Sequence, residues 1–396
     1  MAKQKKKKSF NVKNAIYLSC IIIFAIVVVF IGVKKQFFTD KQTVINKQES
    51  VSVDEIKDLK VTFIDVGQGD GILVNFPDGK NMLVDFNECD TSVVDKYLTE
   101  NGEKMTIDYL VATHPDYDHI GKLQYVYDNY EVKYSFRPYV LSEYESSSKF
   151  NSDFNLGVDI NQNSKAYYNY INSVYEYNRN SWEFFKNDSD FSCDVIVGEN
   201  TYTYSVDFVM PYINELSDYS SFNGANNFSA IIMIEYAGRK ILFTGDAENE
   251  DGSKKNSGAE YKFYDYYSKN NSAYVDCDVL KVAHHGSKSS SDRKFLNLVK
   301  PEYAVISCGV GNNYSHPAAT TLNNLMSVQS GLSGVNGTGI YRTDIQGSVT
   351  LKINSSGDMN FSVETTENDA YKLYSCEQIK ANAEEINANK EKVRKS

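Results

Sequence analysis

The segment Ala112-Thr113-His114-Pro115-Asp116-Tyr117-Asp118-His119-Ile120-Gly121 places two imidazoles and two carboxylates within six residues, directly after the apolar run Tyr109-Leu110-Val111. Neutral imidazole nitrogens and ionised carboxylates at this spacing are what a divalent ion, or a pair of them, requires. Taken alone, the segment reads equally well as a solvated acidic turn ahead of a helix with His119 in its first turn. The remaining histidines shift the balance. The chain has five, and the other three are His284 and His285 in Lys281-Val282-Ala283-His284-His285-Gly286-Ser287 and His316 in Tyr314-Ser315-His316-Pro317. Between the first two clusters, Ile241-Leu242-Phe243-Thr244-Gly245-Asp246 is an apolar run that ends in a glycine turn and a carboxylate. Three strand-to-loop junctions therefore each deliver a metal-type ligand.

The elements that must position these residues are legible from apolar periodicity. Val61–Val66, Ile72–Phe76 and Met82–Phe86 read as strands joined by turns at Gly67-Gln68-Gly69-Asp70-Gly71 and Pro77-Asp78-Gly79-Lys80, an antiparallel meander. The three glycines around Gln68 match neither a dinucleotide fingerprint nor a Walker motif, and a tight turn explains them. Thr91–Glu100 has helical spacing, and strand and helix alternate afterwards. Ala230–Tyr236 and Lys240–Phe243 form a hairpin ending at Asp246. Val279–Val282 is a strand carrying His284 and His285, and Tyr303–Ser307, Gly339–Arg342 and Ser348–Ile353 are later strands. Helices are expected over Asp292–Val299 and Ala318–Met326. Residues 124–205, dense in Tyr, Asn and Ser, are expected to be a polar, partly helical insertion, and residues 366–396 a charged, solvated tail.

Lys3, Lys5 to Lys8 and Lys13 precede Ala15 to Val33, an uncharged run rich in Ile, Val and Phe. About 20 such residues span a bilayer. The run is long for a signal peptide and is followed by Gly32-Val33-Lys34-Lys35 in place of a small-residue cleavage site. The expectation is therefore a basic cytoplasmic segment (1–14), a transmembrane helix (15–33), a tether (34–57) and an extracytoplasmic domain (58–365) anchored as a single-pass protein of the cell membrane. The net charge of −11 is uneven, because ten lysines and one aspartate fall within residues 1–48 and leave −20 on the rest. A domain that acidic lacks the global electrostatic footprint of a nucleic-acid binder. Six cysteines without paired spacing give no disulfide framework or zinc ribbon.

The order of strand meander, His-x-Asp-x-Asp-His, Thr-Gly-Asp and His-His-Gly-Ser resembles the metallo-β-lactamase fold, and within it the branch typified by the extracellular domain of the ComEC-type DNA-uptake competence proteins. The pieces that carry the resemblance are Phe63–Gly71, Leu83-Val84-Asp85, Thr113–Gly121, Asn227-Phe228-Ser229, Leu242–Glu248, Val282–Ser287, Tyr314–Pro317 and Tyr341–Asp344. The resemblance implies an α/β (α+β) αββα four-layer sandwich, here behind an N-terminal transmembrane helix, with the site at one edge of two mixed sheets. It implies two divalent ions, with His114 and Asp116 serving the first, Asp118 and His119 the second, and Asp246 bridging both. A histidine of the His284-His285 pair completes the second, and local register slightly favours His285. Two departures matter: position 116 is Asp where many relatives carry His, and the region expected to supply a histidine ahead of Asp246 holds Asn227 and Ser229. An oxygen-rich first shell favours Mn²⁺ or Mg²⁺ over Zn²⁺ there. The multispanning channel that accompanies this domain in the competence proteins is not expected here, so only hydrolase chemistry is carried over.

The expected function is that of a membrane-anchored, extracytoplasmic, metal-dependent hydrolase (Mn or Zn), a phosphodiesterase or nuclease-type phosphoesterase that attacks nucleic acid or a wall or lipid phosphodiester with a metal-activated water. Asp118 would orient the water. His316 would protonate a leaving group or bind phosphate, or else cap the helix starting near Pro317. Ser287 and Asn227 are candidate substrate contacts. Hydrolysis of a lactone, ester or β-lactam uses the same metals, and a binding ectodomain with a vestigial site is the non-enzymatic alternative.

Overall fold

A computed structural model describes residues 48–140, 164–178, 181–328, 332, 339–365 and 371–395. The chain divides into Met1–Val44, which lies outside the described residues, and Ile45–Ser396. Within the second unit the first strands are β1 (Gln48–Ser52), β2 (Leu59–Phe63), β3 (Gly71–Asn75), β4 (Asn81–Phe86), β5 (Thr99–Glu100), β6 (Glu103–Lys104), β7 (Ile107–Val111), β8 (Val132–Arg137) and β9 (Trp182–Phe184). They are followed by β10 (Phe191–Val197), β11 (Asn200–Phe208), β12 (Ile232–Tyr236), β13 (Arg239–Phe243), β14 (Val279–Lys281), β15 (Tyr303–Ile306), β16 (Ile340–Arg342), β17 (Val349–Ile353) and β18 (Met359–Val363). The helices are α1 (Thr91–Tyr97), α2 (Tyr117–Ile120), α3 (Leu123–Asn129), α4 (Lys165–Tyr177), α5 (Ala259–Tyr267), α6 (Arg293–Val299), α7 (Ala319–Met326), α8 (Thr343–Gln346), α9 (Cys376–Lys380) and α10 (Ala383–Lys395).

Two eight-stranded mixed sheets form, ordered β18-β17-β2-β3-β4-β7-β8-β9 and β1-β10-β11-β12-β13-β14-β15-β16. In each, an antiparallel half gives way to a parallel half: β2, β3 and β4 are antiparallel, whereas β4, β7, β8 and β9 run parallel. The same change occurs at β13, after which β14, β15 and β16 follow in parallel. Aromatic contacts stitch the sheets face to face, Phe63 against Phe243 and Phe136 against Phe208, with ring centroids 5.9 and 5.1 Å apart. Side-chain caps fix several helix starts. The Asp90 carboxylate accepts from the Ser92 amide at α1, and Asp292 accepts from the Lys294 and Phe295 amides at α6.

The meander, the hairpin and the later strands lie where apolar periodicity placed them. Residues 124–205 differ from the polar insertion expected, because they supply α3, α4 and strands β8 to β11 of both sheets. Several of their tyrosines are core residues: Tyr167, Tyr170 and Tyr204 are almost completely buried, with the Tyr167 hydroxyl donating to the Val140 carbonyl at 2.7 Å, whereas Tyr168 and Tyr177 are exposed. A hydroxyl that finds a partner lets tyrosine pack as a large apolar ring, which a hydropathy reading scores as surface. The loosest part of that stretch, 141–163, falls outside the described residues. Residues 371–395, expected as solvated tail, carry α9 and α10, and bury Ile379 and Ile386 against Ile345. Buried Arg342 holds this segment in place through a bidentate pair with Asp344 (3.0 and 2.7 Å) and donation to the Lys372 carbonyl (3.0 Å). Five cysteines, Cys89, Cys193, Cys277, Cys308 and Cys376, are free.

The membrane assignment is corrected. Among the described residues no helix is long and apolar enough to cross a membrane, and residues 15–33 lie outside them. The longest described helices, α4 and α10, have 13 residues each. That is about 20 Å of helix against about 30 Å of hydrocarbon. The transmembrane helix, the membrane as a partner and the single-pass extracytoplasmic placement, all expected from residues 15–33, find no support among the described residues.

The turn after β2 lies directly against the histidine-rich segment, and this contact dictates one glycine. At Gly69 (φ +144°) a Cβ would lie 2.2 Å from the Asp118 carbonyl oxygen and 2.7 Å from the Asn87 side chain, while at Gly67 (φ +78°) it would meet nothing within 4 Å. Gly67→Ala should cost about 1 kcal/mol, the left-handed penalty alone. Gly69→Ala should cost at least about 2 kcal/mol more, because backbone must move as well. Thermal melts of the two variants in EDTA measure the difference, and equal melting points would show that the turn does not pack on Asp118.

Candidate metal centre

Parallel strands present their carboxyl ends on the same edge of a sheet, where the loops that follow them meet. Four such ends build the centre. The strand β4 carries Asp85 as its penultimate residue, β7 leads into Thr113, His114 and α2, β13 leads into Gly245 and Asp246, and β14 leads into His284 and His285. The turn before β3 adds Asp70, whose amide donates to the Asp118 carbonyl at 3.1 Å. Asp70, His119, Asp246 and His285 are all buried, and their candidate ligand atoms lie within 4.8 Å of one another, a cluster able to hold a metal ion.

Hydrogen bonds behind the cluster set which ring nitrogens face it. His119 Nδ1 donates to Asp85 Oδ2 at 2.7 Å, and Asp85 is itself held by the Thr113 amide (2.7 Å) and hydroxyl (2.6 Å). His285 Nδ1 donates to the Ser307 carbonyl at 2.8 Å. Both Nε2 atoms are thereby turned inward, 3.2 Å apart. Asp246 completes the convergence, with Oδ1 3.2 Å from His119 Nε2 and Oδ2 3.3 Å from His285 Nε2, and Asp118 Oδ2 lies 3.4 Å from His285 Nε2. Ligand atoms around a tetrahedral ion with bonds near 2.0–2.1 Å are separated by about 3.3 Å, so the donor set fits.

His284 and His285 both have left-handed backbones, with φ of 49° and 53°. Such strain costs on the order of 1–3 kcal/mol per residue and persists where surroundings impose it. It separates the pair. His285 joins the cluster, while His284 is one-fifth exposed, with Nδ1 bonded to Glu248 Oε1 at 3.0 Å and Nε2 3.7 Å from Asp246 Oδ2. His114 is buried beside the cluster. Its Nδ1 lies 3.1 Å from the Thr113 hydroxyl and 3.3 Å from that of Ser229, its Nε2 has no hydrogen-bond partner, and the nearest acidic oxygen to that nitrogen is Asp116 Oδ2 at 3.7 Å. Ser229, in the region expected to hold a histidine, also accepts the Asp246 amide at 2.9 Å.

His316 stacks over His285, with centroids 6.4 Å apart and planes 28° apart, and its Nδ1 is without a partner. It caps no helix, since α7 begins after Ala318 with no side-chain cap. Asn227 sits away from the cluster: its amide oxygen accepts from the Glu248 and Ala259 backbone, and its nitrogen donates to the Glu250 carbonyl, which braces that loop. The Ser287 hydroxyl bonds that of Ser289, which donates to Glu248 at 2.6 Å. Asp70, Asp85 and Lys281 were assigned no role from the sequence. The available signal was a lone lysine inside the apolar strand Val279-Leu280-Lys281-Val282, an aspartate inside the buried run Met82–Phe86 and another in the glycine turn before β3.

Charge in the cluster follows from burial and proximity. Burial works against a protonated imidazole, yet Asp246 and Asp85 hold His119 well above its ordinary range, and Asp246 and Asp118 push His285 up to about 9. Burial likewise opposes ionisation of Asp246 and Asp118, but the imidazoles hold both below the usual carboxylate range. Burial and the neighbouring His119 keep His114 well below its ordinary value, and burial with His284 and His285 brings His316 down to about 4. Asp116 is raised to about 6 by burial and by Asp118.

These features define the class. The fold is that of the metallo-β-lactamase superfamily, with a cluster suited to a metal-dependent hydrolase, and residues 218–310 match the description "Metallo-beta-lactamase superfamily". Among curated proteins, the chain is 26% identical over 304 residues to ComE operon protein 3 of Bacillus subtilis (strain 168), covering 72% of this chain and 33% of that protein. It is 30% identical over 132 residues to competence protein ComA of Neisseria gonorrhoeae, covering 33% of this chain and 16% of that protein. The chain thus spans a third or less of these relatives' length. Among solved structures, the metallo-beta-lactamase fold protein YhfI from Bacillus subtilis covers 77% of this chain and 100% of its own at 12% identity and a TM-score of 0.37. A mutant of the CmlA beta-hydroxylase covers 75% and 54% at 12% identity and a TM-score of 0.40.

Metal entry at this cluster must displace the protons on His119 and His285. Because the folded-state pKa of His285, about 9, lies above its ordinary 6.5, its contribution to metal-free stability is full below pH 6.5 and is lost as pH rises through 9. Metal affinity should rise over the same window. Calorimetric titration at pH 7 in buffers of different ionisation enthalpy should show release of about two protons per ion. Proton-neutral binding would place the ion elsewhere.

Proposed function

We propose that this chain is a metal-dependent phosphodiester hydrolase. The observation that carries the reading is the convergence of two Nε2 atoms with Asp246 and Asp118 at separations of 3.2–3.4 Å. A divalent ion bound there would make a coordinated water acidic and neutralise charge on the oxygen under attack. His119, His285, Asp246 and Asp118 would hold it, and Asp85 and the Ser307 carbonyl keep the two rings aimed. His114 and Asp116 would take a second ion more weakly, since Ser229 brings no nitrogen to that side and the remaining donors are oxygens that suit Mn²⁺.

Asp118 is the carboxylate best placed to orient the attacking water, because its side chain is 31% exposed where Asp246 is 2% exposed. His316 is neutral at pH 7, with a pKa of about 4, and therefore suits a hydrogen bond to substrate better than donation of a proton as an acid. Two of the relatives are named for the ComE operon and for competence, and a third, 29% identical over 121 residues, is recombination protein 2 of Haemophilus influenzae. These names favour a nucleic-acid phosphodiester over a lactone or β-lactam as the bond to test first.

The full chain loaded with Mn²⁺ should hydrolyse a single-stranded oligonucleotide or bis(p-nitrophenyl) phosphate and leave nitrocefin and lactones intact. Asp118→Asn should lower that rate by at least about 100-fold, while the variant still unfolds in one cooperative transition in EDTA. Parental activity in Asp118→Asn, or ester hydrolysis without phosphodiester hydrolysis, would reject the reading.

A further inference from the structure

Asp70 approaches the cluster from the side that the imidazoles turn away from it. Its carboxylate lies 3.8 Å from His119 Nδ1 and 3.6 Å from His285 Nδ1, the two nitrogens already committed to Asp85 and to the Ser307 carbonyl. The group that does engage Asp70 is Lys281, with Nζ 2.5 Å from Asp70 Oδ2. The same ammonium donates to the Gly245 carbonyl at 3.0 Å and stands 3.7 Å from Asp246 Oδ1. Both side chains are sealed from solvent, at 0% and 2% exposure.

We infer that Lys281 is a resident cation of the metal centre that takes up the charge of Asp70, so that Asp70 stands behind the cluster as the partner of the ammonium and not as a ligand. This inference rests on the metal-dependent reading above. Its reasoning is electrostatic. A buried carboxylate that bonds no imidazole needs its own counter-charge, and a buried cation needs its own anion. A pair that neutralises itself lets the protein keep Lys281 close to Asp246 without adding net repulsion to an incoming divalent ion. The β-strand supplies the rigidity, because Lys281 closes β14 in register with Val305 of β15. The Gly245 carbonyl also accepts the His284 amide at 3.1 Å, so one oxygen ties the lysine to both metal-bearing turns.

The inference predicts opposite effects from the two halves of the pair. In calorimetric titrations of Mn²⁺ into the full chain at pH 8, Asp70→Asn leaves the ammonium uncompensated and should weaken binding by at least about tenfold. Lys281→Met leaves the carboxylate uncompensated and should tighten it by about tenfold or more. The double variant Asp70→Asn/Lys281→Met restores neutrality and should bind within about threefold of the parent. It also keeps the test decisive if either single variant fails to fold. Loss of Mn²⁺ binding in both Asp70→Asn and the double variant would make Asp70 a ligand and overturn the inference. Single variants that lose thermal stability while binding Mn²⁺ like the parent would also overturn it, as they would show an ion pair that only supports the fold. A parent chain that binds no Mn²⁺ would remove the proposed function together with this inference, an outcome distinct from either.

Discussion

Several charges are buried together where strand ends of the two sheets meet, and each must find its counter-charge within hydrogen-bonding distance. Asp70, Asp85 and Asp246 have exposures of 1%, 0% and 1%, while Lys281, His119 and His285 are at 0%. Removing ions from water costs several kcal/mol each after relaxation, and breaking one member from a buried pair costs about 3–5 kcal/mol. Such a cluster tolerates few arrangements. The Asp85 to His119 bond, the Lys281 to Asp70 bond and the convergence on Asp246 are the solution this fold adopts, and the surrounding backbone is shaped to hold it.

That shaping reaches well beyond the ligating residues. Gly69 lets the turn that carries Asp70 lie on the Asp118 carbonyl, and Gly245 (φ +49°) lets the Asp246 turn close on Ser229, whose Cβ would stand 2.8 Å from an added one. The chain terminus contributes as well. Asp65, five residues before Asp70, is bonded by Lys390 and by Arg394, the latter at 2.6 Å, both from α10. Gln68, in the same turn, accepts the Gly309 amide at 3.1 Å. The segment that leads from β2 into the site is therefore gripped from α10 on one side and from the loop after β15 on the other.

Much of the strand framework was legible, because buried strands read as apolar runs and their turns as glycine-rich breaks. The Tyr-rich stretch was misread for the opposite reason: tyrosine scores as polar, whereas Tyr167 and Tyr170 are fully buried here. Residues 15–33, an apolar run of sufficient length, lie outside the described residues, among which no helix is long and apolar enough to cross a membrane. Within the site, the local motif named His114, Asp116, Asp118 and His119. It could not rank them, because only burial and partners separate the cluster member His119 from His114, whose Nε2 is unbonded.

Residue types and their order along the chain determined that imidazoles and carboxylates would arrive at strand ends, and hence the class of chemistry. That is local information, carried by periodicity and by spacing within a few residues. Which histidine of the adjacent pair faces the cluster was decided by two left-handed backbone conformations and by bonds to Ser307 and Glu248, which lie far away in sequence. The parts played by Asp70, Asp85 and Lys281 were decided the same way. A buried charge is defined by what surrounds it, and its surroundings exist only once the two sheets have brought distant strand ends together.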